Sequence, residues 1–283
     1  MRVVCAGHVN WDVTIRVDSL PAPDAESVVE DRRASGGGSA ANVAVALSNL
    51  GVPASLVGSV GTDDNGSRAR RELADAGVDT EPIQSAAGRT AVKYLLVDAD
   101  GEVAVVDDGG VNEAVRAEAV DPSVFEDAAV CHLTGQHPDT AARLAERASE
   151  AGLAVSFDPG RRLGGRDYAA TLELTDVLFL NSREAARLTT VPADCRVVRK
   201  RGADGATLEG DDLSLEHGGF GLESVDATGA GDAFAAGFLA ARLRGADHER
   251  ALAYANACGA LAAATVGPRP DLTPERVREL VDG

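Results

Sequence analysis

The sequence predicts an α/β fold: a mostly parallel central sheet with helices on both faces. Three observations lead there. From Val130 onward short apolar runs alternate with helical patterns, as βαβ crossovers require. Polar or glycine-bearing turns follow the apolar runs, at the strand ends where open α/β sheets bind ligands. At 283 residues and 45% hydrophobic content the chain can build one large α/β domain or two small ones.

The elements follow in order. Arg2 to Gly7 is an apolar run ending in glycine, a buried first strand, and His8-Val9-Asn10-Trp11-Asp12 forms a polar turn at its carboxyl end. Val13 to Val17 alternates polar and apolar, and Ser27 to Glu30 opens another extended piece, so residues 13–35 read as strands outside the main core. Gly36-Gly37-Gly38-Ser39-Ala40-Ala41-Asn42 leads into a helix from Val43 to Leu50 that Gly51 stops. Ser55 to Val60 is a second buried strand, and a helix from Ser67 to Ala76 ends at Gly77. Val92–Val97 and Glu102–Val106 flank Asp98-Ala99-Asp100-Gly101, a hairpin with an Asp-Gly turn. Val130–Leu133, Ala154–Phe157, Val177–Leu180 and Cys195–Arg199 read as parallel strands, with a helix over Asp139–Ala151. Arg250 to Ala264 is an Ala-rich helix closed by Gly267-Pro268, and Thr273 with Pro274 caps the last helix. With no repeat, linker or low-complexity segment, residues 1–283 are expected to form a single domain.

The chain is organised around Asp226-Ala227-Thr228-Gly229-Ala230-Gly231-Asp232. Phe234, Phe238, Ala241 and Ala235, Leu239, Arg242 continue it at helical spacing, so Gly229, Ala230 and Gly231 fall at a helix N-terminus. There the first amides lack intrahelical partners, and small residues let a phosphoryl group approach them. Asp232, in the first turn, would face the same spot. A carboxylate beside a pure phosphate hole is out of place, unless it removes a proton from a hydroxyl attacking the phosphoryl group. A dipole-stabilising Asp after a glycine turn is the plainer reading, and it leaves the second Asp of the pair unexplained.

This stretch resembles the signature of the ribokinase-like (PfkB) carbohydrate kinases, Asp-Thr/Ala-Thr/Val-Gly-Ala-Gly-Asp. Further likenesses span nearly the whole chain. Asn10-x-Asp12 resembles the family's substrate-hydroxyl pair, and Gly37-Gly38 followed by Asn42 its first signature. Gly61-x-Asp63-x-x-Gly66 resembles a family turn, and Asn181-x-x-Glu184 its metal and phosphate motif. The resemblance implies a ribokinase-like fold in which strands within about 13–35 and 89–110 form a small β-sheet lid. It implies an ATP-dependent kinase acting on a hydroxyl of a small sugar or sugar-like substrate, with a nucleoside or a sugar phosphate as alternatives. A silent sugar- or nucleotide-binding regulator is the reading from another class, and Asp232 speaks against it because a binder needs no base.

The resemblance assigns roles by position. Asp232 would be the base, with the amides of Gly229, Ala230 and Gly231 forming the anion hole. Asn10, Asp12, Gly38, Asn42 and Gln136 would hold the acceptor. Asn181, Lys200, Gly202 and Gly205 would line the nucleotide phosphates, and Asn256 the base pocket. Glu184 would serve Mg²⁺ through water, and K⁺ would sit near the Asp226 loop. Subunits of relatives pair through the lid, so a homodimer is implied. Two departures stand out: Ser39 where ribose-specific members carry Lys, and Lys200 where the family usually has Thr. Lys93 on the hairpin reads as a lid residue facing the site or as a solvated strand residue. Arg161, Arg162 and Arg166 form the one local basic concentration, suited to a phosphorylated substrate or to pairing with acidic surface.

Composition narrows the partners. Asp and Glu total 45 against 27 Lys and Arg, a formal net charge of −18, and the only lysines are Lys93 and Lys200. That balance points to adaptation to high salt and argues against nucleic acid and anionic membranes as partners. No stretch reaches the ~20 apolar residues of a membrane span, and Met1-Arg2-Val3-Val4-Cys5 reads as a strand rather than a signal peptide. Cys5, Cys131, Cys195 and Cys258 are scattered and read as buried reduced thiols of a cytoplasmic protein. Self-repulsion of this surface is screened by salt. The melting temperature followed by circular dichroism is therefore expected to rise from dilute buffer to molar KCl, by roughly 5–10 °C if screening contributes a few kcal/mol.

Overall fold

The computed structural model describes residues 1–100, 102–188, 190–210 and 213–283. The strands are β1 (Arg2–Ala6), β2 (Asn10–Val17), β3 (Val29–Gly37), β4 (Ala54–Gly61), β5 (Ile83–Ala86), β6 (Val92–Val97), β7 (Val103–Asp108), β8 (Ala128–Thr134), β9 (Ala154–Asp158), β10 (Val177–Asn181), β11 (Arg196–Lys200), β12 (Ala206–Gly210) and β13 (Leu213–His217). The helices are α1 (Ser39–Asn49), α2 (Asp64–Asp75), α3 (Pro138–Glu150), α4 (Ala169–Leu172), α5 (Ser182–Ala185), α6 (Ala230–Leu243), α7 (His248–Ala263) and α8 (Pro274–Asp282).

Nine strands form the large sheet in the order β13-β12-β11-β10-β9-β8-β1-β4-β5. All pair parallel except β12 and β13, which close one edge antiparallel. Both faces are covered, which is why the inner strands read as unbroken apolar runs. Val3 and Cys5 of β1 pack with α1, α6 and α7, while Val4 and Ala6 face the other way into a second core with α3. Phe179 of β10 ties α6 to the sheet through edge-on contacts with Phe234 and Phe238, centroids 6.4 and 5.6 Å away. Gly237 lets α7 close on α6, since a Cβ there would lie 2.6 Å from Cys258 Sγ. Strand register lines polar residues along the carboxyl edge: Thr134 opposite Asp158, and Asn181 opposite Lys200.

A second sheet, in the order β3-β2-β6-β7, is built from the two segments expected to lie outside the core. Asp12 pairs with Lys93, and Lys93 with Asp107. Gly101 of the hairpin turn lies outside the described residues.

The structure differs from expectation at element ends and at three strands. Asn10 and Asp12 begin β2 instead of sitting in a turn. Helix α1 begins at Ser39, because Gly38 at φ 99° serves as its N-cap. Asp63 starts α2 early, its Oδ1 accepting from Gly66 N at 3.0 Å, and Asp247 does the same for α7 through Arg250 N. Strands β5, β12 and β13 went unread: β5 has four residues with one large apolar side chain, and β12 and β13 are short five-residue strands rich in polar side chains. The four cysteines are free and buried. No described helix is long and apolar enough to cross a membrane.

Candidate active site

Helix α6 delivers the central carboxylate. Its N-cap, Gly229, has φ 76°, and a Cβ there would lie 2.4 Å from Pro268 O, so only glycine fits. The Ala230 amide donates to Ala227 O at 3.2 Å. Ala230 thus drops out of the expected set of free amides; among the described residues, those of Gly229 and Gly231 have no acceptor. Asp232 follows in the first turn. Its Oδ2 accepts from Asn42 Nδ2 at 2.9 Å. Asn42 lies in the first turn of α1, which Gly38 seats against β1: a Cβ on Gly38 would lie 2.3 Å from His8 O. Burial pushes the Asp232 pKa up to about 6; Asp158 adds to the rise, while Asn42, Lys200 and Ser39 oppose it. Ser39, the departure from the ribose-specific pattern, is exposed at the start of α1 and helps to hold that rise down.

Adjacent strand ends supply the next groups. Asp158 ends β9, Asn181 ends β10 and Lys200 ends β11. Lys200 Nζ meets Asp158 Oδ2 at 2.5 Å and lies 3.3 Å from where a Cβ on Gly231 would be, beside the helix N-terminus. Burial works against the Lys200 charge, but Asp158 and then Glu184 and Asp232 hold its pKa above the usual lysine value. Asn181 and Glu184 form a capping box: Asn181 N and Nδ2 donate to Glu184 at 2.8 and 2.7 Å, and Asn181 Oδ1 accepts from Glu184 N at 2.9 Å. Burial, then the Asp158 charge, raises the Glu184 pKa. Three carboxylates therefore share one lysine, an excess that suits a divalent cation.

The remaining nucleotide-side residues are scattered in role. Gly202, at φ 62°, has open space where a Cβ would sit. Gly205, at φ 84°, packs on backbone, with a Cβ position 1.9 Å from His217 O. Asn256 is buried and donates to Leu252 O of its own helix at 3.0 Å. Asp226 staples two loops, accepting from Thr228 N at 2.9 Å and Gly267 N at 3.0 Å. Among the described residues no three His, Cys, Asp or Glu side chains cluster as a metal cage.

On the acceptor side, Asp12 has a buried Oδ1 without a partner, and burial raises its pKa against the pull of Lys93 and Arg269. Gly37 makes room for it, since a Cβ there would lie 2.0 Å from Asp12 Oδ2. Asn10 is buried, its side-chain amide bonded to that of Asn112 at 2.7 Å. Lys93 Nζ lies 3.3 Å from the Asn10 amide, which decides its open reading in favour of the site. Gln136 is buried with Nε2 unpartnered.

Arg269 was missed entirely. Its Nε donates to Asn42 Oδ1 at 3.2 Å, Nη1 lies 3.4 Å from Glu72 Oε2, and Nη2 is buried without a partner. Asn112 and Glu113 were missed as well. No local pattern announces any of them, because the partners lie far away in the chain. His137 is an exposed residue beside Asp139.

Known proteins resemble this chain in sequence and in fold. The model of the pfkB family carbohydrate kinases matches residues 1–276. The chain is 56% identical over 98% of its length to the ATP-dependent ribose-1-phosphate kinase of Halopiger xanaduensis, covering 97% of that protein. Its fold superposes on ribokinase from Thermotoga maritima with a TM-score of 0.90 at 21% identity, covering all of both chains. It superposes on Arabidopsis thaliana ribokinase, solved with ribose and ATP, with a TM-score of 0.89 at 25% identity, covering 100% and 99% of the two chains. The chain belongs to the pfkB family of carbohydrate kinases and is a phosphotransferase acting on a sugar hydroxyl.

Proposed function

We propose that this enzyme transfers the γ-phosphoryl group of ATP to a free hydroxyl of ribose 1-phosphate, with Asp232 as general base. The observation that carries the mechanism is the Asp232 carboxylate, its pKa raised to about 6, standing between the Asn42 amide and the free amides of Gly229 and Gly231. A base with that pKa is ionised at neutral pH and still basic enough to take a proton as the hydroxyl attacks. The oxygen–phosphorus bond forms, the bond to the bridging oxygen breaks, and ADP leaves with the electron pair while Asp232 keeps the proton. The amides of Gly229 and Gly231 and the Lys200 ammonium receive charge developing on the phosphoryl oxygens.

Asp12, Asn10, Asn42, Gly38 and Gln136 hold the sugar, and the small sheet of β2, β3, β6 and β7 covers it as a lid that keeps water out. Residues 1–283 work as one catalytic unit with that lid. Asn181, Gly202 and Gly205 line the phosphates and Asn256 the base pocket. Glu184 and Asp158 would hold Mg²⁺ through its waters, and the ion would supply screening of charge on the phosphate oxygens. K⁺ beside the Asp226 loop, and pairing of subunits through the exposed Tyr94, Val103, Val105 and Val106 of the lid, belong to the same proposal. A cytoplasmic location agrees with four free thiols. The substrate assignment leans on the 56% identity to the Halopiger kinase.

Asp232→Asn is expected to lower kcat by about 10²–10⁴-fold, with the KM for the sugar changed little. Near-wild-type turnover would remove the base assignment. In a coupled ADP-release assay in molar KCl, ribose 1-phosphate is expected to exceed ribose and nucleosides in kcat/KM by on the order of 10²-fold. A preference for free ribose or a nucleoside would overturn the substrate while leaving the chemistry standing.

A further inference from the structure

We propose that Arg162, Arg166 and Lys93 form the subsite for the phosphate that the sugar already carries, at the end of the acceptor cleft away from Asp232. The proposal rests on the reading of the substrate as a sugar phosphate. Its centre is Glu113. Its Oε1 lies 2.9 Å from His8 Nε2, 3.0 Å from Arg162 Nη1 and 2.8 Å from Arg166 Nη1, and its Oε2 accepts from Arg166 Nη2 at 3.0 Å. Burial would raise the Glu113 pKa, but its bonds to His8 and Arg166 and the Arg162 charge hold it far below the usual carboxylate range. It therefore stays ionised and fixes two guanidiniums side by side.

One carboxylate does not neutralise two guanidiniums. Asp107 is the next acid, 4.0 Å from Arg162 Nη2 and beyond hydrogen-bonding reach. Lys93 adds a third cation. Arg162, Arg166 and Lys93 stand against Glu113, Asp107 and Asp12, three cations balanced by three acids, on a chain whose formal net charge is −18. Asp158, Glu184 and Asp232 against Lys200 leave an acidic surplus at the other end of the cleft, so an anion is better received here. A guanidinium carries five N–H donors in a planar fork. Arg166 gives two to Glu113; Arg162 meets Glu113 as an ion pair at 3.0 Å, leaving its Nε and Nη2 donors for another anion. The Arg162 and Arg166 side chains keep 32% and 22% of their surface exposed, so a ligand can reach them. Arg161 is exposed and joins none of these pairs.

The cluster is continuous with the sugar site. Lys93 Nζ stands 3.3 Å from the Asn10 amide, and Asn10 bonds Asn112, the neighbour of Glu113. On the far side, Tyr168 Oη donates to Gln136 O at 2.7 Å, which brings the residue carrying a buried, unpartnered Nε2 next to the Arg166 segment. A phosphate here would meet three cations and an amide, while the ring hydroxyls remain with Asp12 and Asn42.

The test compares ribose 1-phosphate with ribose for wild type, Arg162→Gln, Lys93→Gln and Arg162→Lys, at saturating ATP in molar KCl, alongside equilibrium binding of ribose 1-phosphate without ATP. The expected result is that each glutamine variant cuts the ratio of kcat/KM for ribose 1-phosphate over ribose by about tenfold or more, mainly through KM. Binding weakens in parallel, and Arg162→Lys recovers part of it. General misfolding would lower both substrates together and leave the ratio unchanged. Wild-type activity on ribose 1-phosphate, with glutamine variants that keep the wild-type kcat/KM on both substrates, overturns the subsite alone. A wild-type enzyme that neither binds nor phosphorylates ribose 1-phosphate overturns both the subsite and the substrate reading.

Discussion

The Asn42–Asp232 hydrogen bond is the constraint on which the rest of the site depends. It joins side chains 190 positions apart, each in the first turn of a helix. Two glycines bring those helix starts together. Gly229 adopts a left-handed conformation against the Pro268 carbonyl, and Gly38 presses on the His8 carbonyl at the β1–β2 corner. Arg269 completes the arrangement. By donating to Asn42 Oδ1 it leaves the Asn42 nitrogen to face the carboxylate. An isolated carboxylate in this position would protonate; the hydrogen bond from Asn42 and the Lys200 charge limit the rise of its pKa to a value useful for proton transfer.

Charge is unevenly placed along the cleft. Its nucleotide end gathers Asp158, Glu184 and Asp232 around Lys200, and its acceptor end holds Arg162 and Arg166 on Glu113, with Lys93 beside Asn10. Both lysines of the chain are therefore used inside the cleft, while the surface is left to acid. In a molecule so acidic, exposed charge is screened at high salt, whereas these partly buried pairs are screened much less. The sparing use of lysine then has a local reason: the two that remain stand beside Asn10 and beside the N-terminus of α6.

Much of this was legible in the sequence. Asp232, Asn42, Asn10 and Asp12 belong to short patterns tied to glycines and strand ends, and backbone geometry alone puts such patterns at a ligand. The parallel order of β8 to β11 followed from apolar runs buried on both sides. What the sequence concealed was assembled across the chain. Arg269 follows a helix-closing Gly-Pro and gains meaning only against Asn42 and Glu72. Glu113 gains meaning only once β9 brings Arg162 and Arg166 beside it. Lys93 was ambiguous because a strand residue faces one of two sides, and only the pairing of β6 with β2 decides which. Ala230 misled in the opposite sense, since a tight turn back to Ala227 O occupied an amide that a regular helix start would have left free. Asn256, read as a base-pocket residue, also hydrogen-bonds its own helix through Nδ2, a local bond open to any buried Asn.

The most direct measurement of the central claim is the pH dependence of kcat under saturating substrates. Asp232 must be ionised to accept a proton, so the rate is expected to fall as pH drops through an apparent pKa of about 6. Lys200→Met, which removes a neighbouring cation, should move that acidic limb to higher pH. A rate that stays level from neutral pH to well below 6, in an enzyme shown to remain folded there, would contradict the assignment of Asp232 as the proton acceptor.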